Sequence, residues 1–472
     1  MPKGRRFASA AIGTGVALAL ALPTCALASP ALRGSTPRGG LAQLSGPSGC
    51  LVASSRPLAG CGRARALEGP GPFMGSRAIA LSPDGRNVYV ASSKSDAIAI
   101  FARNQRTGVL TQPTGAKGCI AATGAGGCGP AVGLNGPNSV AVSADGRSVY
   151  ATSRESSSIS SFLRNPKTGA LRQLPPPGAG CISTLPTPGC TQGRALQGAD
   201  VVVVSPDGRN VYAGSFFGNA VAVFARNPKT GALSQASGSA GCIAESSSSG
   251  CSPGLALGAV EGLAVSRDGS NVYAASALSN ALVVLTRNAS TGALTQATEG
   301  AGCIVDSALA GCATGVELSG ANAVATSPGN DVVYVTSLFS NSLTTFGPTS
   351  SSVGLRQKEG TAGCLVWLRA VGCSFGQAMS APEGLAVSPD GSNVYVAAFL
   401  NGAIDVLNRN RESGSVAQKP GKAGCLALKS VPNCTRARAL RGVSSIALSP
   451  DGRYLYSTSF ASNAVDIFRR SK

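Results

Sequence analysis

The chain has 472 residues, a formal net charge of +19 and no histidine. Acid–base catalysis by histidine and histidine-held metal centres are therefore excluded. No basic run carries interleaved aromatic residues, so nucleic acid is not an expected partner.

Residues 1–28 read as a secretory signal. Lys3, Arg5 and Arg6 precede an apolar stretch from Ala8 to Leu22, and Ala26-Leu27-Ala28 supplies a small-residue cleavage pattern. That stretch is shorter than the roughly 20 residues of a membrane-spanning helix, and no later segment qualifies. Leu22-Pro23-Thr24 lacks the small residue expected before a lipid-anchored cysteine, which disfavours that role for Cys25. The mature chain, 29–472, is expected as a secreted or extracytoplasmic monomer with no transmembrane segment. Loss of the three basic signal residues takes the charge from +19 to +16.

Next along the chain, Gly39-Gly40-Leu41-Ala42-Gln43 has the pattern of a strand. Residues 78–112 then spell out one complete repeat. Ile79-Ala80-Leu81 (strand A) runs into Ser82-Pro83-Asp84-Gly85, a tight turn. Asn87 to Ala91 (strand B) is rich in β-formers. Lys94-Ser95-Asp96 turns the chain into Ile98 to Phe101 (strand C), and Asn104 to Gly108 leads to Val109-Leu110-Thr111-Gln112 (strand D). The strand B tyrosine recurs as Tyr89, Tyr150, Tyr212, Tyr273, Tyr334, Tyr395 and Tyr456. Strand D ends in Gln112, Gln173, Gln235, Gln296, Gln357 and Gln418. A long repeat of this kind denotes stacked β units that share their cores. The seventh glutamine is Gln43, ahead of the first strand A, whereas the C-terminus stops with strands A, B and C. The N-terminal strand must complete the last unit. The expected fold is all-β: a seven-bladed β-propeller of four-stranded antiparallel blades, closed by that strand. The fifth repeat departs at Ser327-Pro328-Gly329-Asn330-Asp331 and has a longer C–D turn, a local irregularity.

Seven cysteine pairs accompany the repeats. They are Cys50 with Cys61, Cys119 with Cys128, Cys181 with Cys190, Cys242 with Cys251, Cys303 with Cys312, Cys364 with Cys373, and Cys425 with Cys434. An even set in an exported chain reads as one disulfide loop per blade, between strands D and A. The spacing is not that of a zinc site.

One position per blade, at the start of strand A, is polar throughout: Arg77, Asn138, Asp200, Glu261, Asn322, Glu383 and Ser444. These residues should ring one mouth of the central channel and form the candidate ligand site. Asp200, Glu261 and Glu383 could hold a hard cation such as Ca2+ through oxygen; the plainer alternative is a mouth filled by water. As an adjacent pair, Asp200 and Glu261 could also split their pKa values, with Arg77 gripping a substrate carboxylate. No residue is assigned as catalytic. The B–C turns of later blades carry Phe216, Phe217, Leu278, Leu338, Phe339, Phe399, Leu400 and Phe460, where the first two have Ser93, Lys94, Arg154 and Glu155. They form either a partner patch or a layer packed beneath the disulfide loops. The positive charge, with Arg103, Arg164, Arg226, Arg287 and Arg409 placed in turns, reads as a solvated face.

Pro382-Glu383-Gly384-Leu385-Ala386-Val387-Ser388-Pro389-Asp390-Gly391, Asn393-Val394-Tyr395-Val396-Ala397 and the turns Thr168-Gly169-Ala170-Leu171 and Thr230-Gly231-Ala232-Leu233 resemble the YVTN and lactonase-type propellers. The resemblance runs over roughly residues 39–472 and implies the seven-bladed fold. The family's best-known members open sugar lactones, as 6-phosphogluconolactonases do, or cyclise carboxymuconates, and others are extracytoplasmic repeat proteins with no assigned activity. Lactonase-type members often have a histidine after the proline that opens strand A; here Glu383 and Asn138 stand there. The expectation is therefore a binding module for an envelope polymer, protein or small molecule, with a lactone hydrolase as the alternative.

Overall fold

The structure is a computed structural model. It describes residues 38–72, 77–175, 179–245, 250–298, 300–329, 332–349, 354–368, 370–428 and 431–472. The segment 1–28, expected as a secretory signal, lies outside the described residues. The unit Thr36–Lys472 forms seven sheets, each an antiparallel meander with a parallel pair at its outer edge. In blade 2, strand A is Pro137–Val142, strand B Ser148–Ser153, strand C Ser158–Arg164 and strand D Leu171–Gln173. Strand A of each blade touches strand A of the next, and Ile79–Leu81 of blade 1 touches Val443–Leu448 of blade 7. The ring is closed.

Closure comes from the N-terminus, as expected. Leu41–Gln43 pairs antiparallel with the last strand, Leu41 opposite Arg470 and Gln43 opposite Phe468. Gly39 enters this strand at φ +77°, where an added Cβ would lie 1.9 Å from Asn393 Oδ1. Only glycine fits that approach, and its carbonyl accepts the Tyr395 hydroxyl at 2.8 Å.

Beyond the four strands, each blade has a further outer layer, which the four-stranded expectation lacked. Strand D pairs with the end of strand C, and the segment that follows returns to pair with its start. In blade 2 that segment is Cys181–Ser183, with Thr191–Gln192 parallel beside it. The disulfide loop thus joins two outer strands.

All seven expected cysteine pairs are bonded, each within its own blade. Cys119–Cys128, Cys181–Cys190, Cys242–Cys251, Cys303–Cys312, Cys364–Cys373 and Cys425–Cys434 serve blades 1 to 6 in order. Cys50–Cys61 serves blade 7, because the strand that begins at Cys50 pairs with the last strand of the chain. In six of the loops the first cysteine starts one outer strand, and in blade 4 Cys303 lies within Gly300–Val305; the second lies at or just before the parallel strand beside it. Parallel pairing of these outer strands brings the two Cα atoms to between 4.7 and 4.9 Å, within bonding reach.

The blades are locked by side chains that repeat with them. Arg103, Arg164, Arg226, Arg287 and Arg409 are not a solvated face: each is buried, between 5% and 8% exposed. Each ends strand C and reaches back into the preceding blade. Arg164 donates from Nε to the Tyr89 hydroxyl at 2.9 Å and from Nη2 to Asp84 and Asn87, both at 2.7 Å. Tyr89 in turn donates to the Gly169 carbonyl. The strand D glutamines form a second lock. Gln173 Oε1 accepts from the Val132 amide at 2.8 Å, and its Nε2 donates to the Val132 carbonyl at 2.8 Å. Blade 5 has Pro348 where the clamp arginine belongs, so Tyr273 of blade 4 has no arginine partner among the described residues.

Replacing Arg164 by Met should lower stability by about 3 kcal/mol. That is the low end for a broken buried pair, because Asp84 remains about one-third exposed. A shifted denaturation midpoint with unchanged slope checks it; an unchanged midpoint would deny the clamp its role.

Candidate functional site

The polar ring residues share one local cause. Strand A pairs with strand B through a register shift at Pro137/Ser139, Ala199/Val201, Val260/Gly262, Ala321/Ala323, Pro382/Gly384 and Val443/Ser445. The residue skipped in each case is Asn138, Asp200, Glu261, Asn322, Glu383 or Ser444. A bulge leaves its extra residue outside the ladder and re-aims the side chain, here off the strand pattern that fills the apolar core. All six are at most 2% exposed.

Several of them tie one blade to the next. Asn138 donates to Asp200 Oδ1 at 2.5 Å, Asn322 to the Pro382 carbonyl at 3.0 Å and Ser444 to the Gly71 carbonyl at 2.6 Å. Arg77 differs: it is exposed to the channel and donates across it to the Leu263 carbonyl of blade 4 at 3.1 Å. Arg77, Glu261, Asn322 and Glu383 line a cavity of about 30 Å3, room for a few waters at most. On the other side of Arg77 the channel widens to about 480 Å3, lined mainly by apolar strand A residues such as Val140, Val202 and Leu385.

Asp200 and Glu261 carry the unusual electrostatics. Asp200 Oδ2 and both Glu261 carboxylate oxygens are buried without a hydrogen-bond partner among the described residues. Burial pushes the Asp200 carboxyl up to about 7, against the pull of Arg154 and Asn138. Burial, then the neighbouring Asp200 charge, pushes Glu261 well above its ordinary value. Arg154 Nε lies 3.7 Å from Asp200 Oδ1, and its guanidinium stacks 4.0 Å over the Phe216 ring. The sequence reading left Arg154 among polar turn residues. Its place, one residue past strand B and beside the next blade's bulge, was the available signal.

The donor set suits protons better than a cation. Among the described residues no three acidic side chains gather closely enough to hold a metal ion, and Arg77 lines the same cavity as Glu261 and Glu383. The melting midpoint is expected to stay put when Ca2+ or a chelator is added. A rise that grows with Ca2+ concentration would restore the cation.

Strand C holds two more buried carboxyls, absent from the sequence reading although blades 1 to 5 carry Ala, Ser, Val or Thr there. Asp405 is pushed up to about 8 by burial, and Asp466 well above its ordinary value by the same cause. All four acids bind protons more tightly folded than unfolded. Their stabilisation is full below the unfolded carboxyl range and is lost as pH rises toward 7–8. Asp84 and its counterparts in the A–B turns are held low and act oppositely, at more acidic pH. The melting midpoint should therefore peak at about pH 4 and fall toward pH 8. Asp405→Asn should flatten that fall; a slope unchanged by it would mean another group is responsible.

On the same face, the B–C turn residues divide by position. Leu338 is buried and Phe216, Phe399 and Phe460 are half-buried. Phe217, Leu278, Phe339 and Leu400, each one residue further on, are 62%, 67%, 62% and 70% exposed.

The family model described as Lactonase, 7-bladed beta-propeller matches residues 67–120 and 179–305. In fold, the chain is a seven-bladed propeller similar to those of the lactonase family. Among solved structures, a periplasmic gluconolactonase of Pseudomonas aeruginosa is 20% identical, over 76% of this chain and 85% of that one, with a TM-score of 0.51. A Bacteroides uniformis protein provisionally assigned as a 6-phosphogluconolactonase is 19% identical, covering 79% and 88%, at 0.50. Hydrazine synthase of Kuenenia stuttgartiensis is 16% identical, covering 85% and 97%, at 0.51. No curated protein matches the chain. At such identities the lactonase-type fold is what these likenesses share, and one fold hosts unrelated chemistries.

Proposed function

We propose that this lactonase-type propeller is a non-catalytic binding module of the extracytoplasmic space, which docks a partner protein on the face carrying the B–C turns. The row Phe217, Leu278, Phe339 and Leu400 carries the reading: four large apolar side chains, one per successive blade, each more than 60% exposed. Single exposed apolar residues need no explanation, whereas the same turn position exposing one on each of four successive blades does. Exposed Glu155 and Glu245 flank it, so the complementary surface would be apolar with a basic rim. The seven disulfides favour an oxidising compartment. With a photo-crosslinker at residue 339, serine at Phe217, Leu278 and Leu400 should leave the melting midpoint unchanged and abolish site-specific crosslinking in cells. Retained crosslinks to the same partner would overturn the assignment.

Lactone hydrolysis is the second reading, supported by the family match and by the Asp200–Glu261 pair, one of which could stay protonated while the other ionises. The small cavity beside Arg77 weighs against it. Pure protein should open a panel of sugar lactones no faster than buffer. An enzyme-like rate lost in Glu261→Gln would replace the binding reading.

A further inference from the structure

A second cleft lies at the ring closure, on the face opposite the B–C turns. Its volume is about 350 Å3, and Arg106, Arg453, Arg469, Arg470 and Lys472 line it together with Gly40, Ala42, Tyr454 and Ser471. No acidic residue is among these. The nearby carboxylates are already engaged: Asp390 accepts from Arg470 at 2.8 Å, and Asp451 is 3.5 Å from Arg103. Arg106, Arg453, Arg469 and Lys472 are exposed, and among the described residues no carboxylate answers their charge.

The cleft is built into the ring closure. Its walls come from the clasp, the last strand and the C–D turn of blade 1. Gly39 donates to the Ser471 carbonyl at 2.7 Å, and Ser471 donates back to Gly40 at 2.9 Å. Tyr454 stands where strand B of blades 1, 3, 4 and 6 begins with asparagine; it donates to the Arg106 carbonyl at 2.7 Å and so hooks the blade 1 turn over blade 7. Blade 4 has the same turns with none of this charge: Ser290, Ser270 and Thr286 replace Arg106, Arg453 and Arg469.

We infer that this cleft binds a phosphate-rich polyanion. Several unpaired cations around one small volume call for dense negative charge, and arginine forks match phosphate oxygens bidentately. A carboxylate polymer also carries one charge per unit, but holds those charges further apart on flexible side chains and so would answer fewer of the cations in one small volume.

The test measures binding of linear polyphosphate to the mature protein by fluorescence anisotropy at several salt concentrations. The triple variant Arg106→Ser, Arg453→Ser, Arg469→Thr installs residues that blade 4 already accommodates, and its melting midpoint without ligand checks the fold. Affinity should fall about tenfold or more, with the salt slope reduced by about one per cation removed. Polyphosphate should also raise the melting midpoint of the native chain, since the cleft exists only in the closed ring. The double variant Arg209→Ser, Lys229→Ser, which alters the same turns in blade 3, should bind nearly as tightly as native protein. Equal loss in that control, no binding by native protein at low salt, or equal affinity for polyglutamate would each overturn the assignment.

Discussion

A chain beginning at Gly46, without the clasp, should lose its monomeric, cooperatively unfolding state. Burial of Leu41 contributes about 2 kcal/mol. The lost hydrogen bonds include Leu44 to Ile467, Gly39 and Gly40 with Ser471, Tyr395 to Gly39, and Gln43 with Gly49 and Arg438. At about 1 kcal/mol each these bring the deficit to roughly 8 kcal/mol, a large part of the 5–15 kcal/mol typical of a folded protein. The deletion also bares the end of strand C of blade 7, Phe468 to Arg470, as a free edge, while Ala464 to Asp466 stay paired with the strand that begins at Cys50. Light scattering should show dimers or larger species, and a synthetic peptide of residues 36–46 should restore the monomer. A truncated chain that stays monomeric with its native midpoint would mean the closure is dispensable.

Complete reduction should be as damaging. Six bridges span nine residues and one spans eleven. In the chain-entropy model each loop of this size is worth about 2.7 kcal/mol. Seven such terms, even at half their value through non-additivity, come to about 9 kcal/mol, again within the range of the whole net stability. Loss of near-ultraviolet circular dichroism on adding reductant in mild denaturant would show this. Removing one pair, with serine at both Cys242 and Cys251, should cost only its own share. An oxidised and a reduced protein that melt together would make the bridges ornamental.

The architecture was legible because its signals repeat. Seven tyrosines and seven glutamines, the displaced Gln43 among them, define the blades and their closure without any tertiary information. The cysteine pairing was legible for the same reason, since each partner, as Cys128 is to Cys119, lies in the same repeat. Contacts between blades were not legible. Arg164 follows a strand and precedes a turn, so alone it reads as surface; its burial depends on Tyr89 and Asp84, some 75 to 80 residues earlier in sequence. Likewise, the polarity at Asn138, Asp200 and Glu261 was visible, but the bulge behind it was not, since a two-residue alternation carries no mark of one skipped pairing. The B–C turns offered two apolar residues in a row, and only a backbone could say that Leu338 goes in and Phe339 goes out.

The clasp also sets an order in time. The strand that finishes the ring is made first, and its partner, 429 residues further on at Leu41 opposite Arg470, is made last. Contacts so far apart in sequence close slowly. Until then blade 7 has no outer edge and blade 1 no neighbour on one side. The disulfides work on the opposite scale, each joining cysteines close enough to meet before the next blade exists. The protein can thus staple its outer loops one after another while the ring waits open. What its maturation must guard is a single late encounter between its two ends.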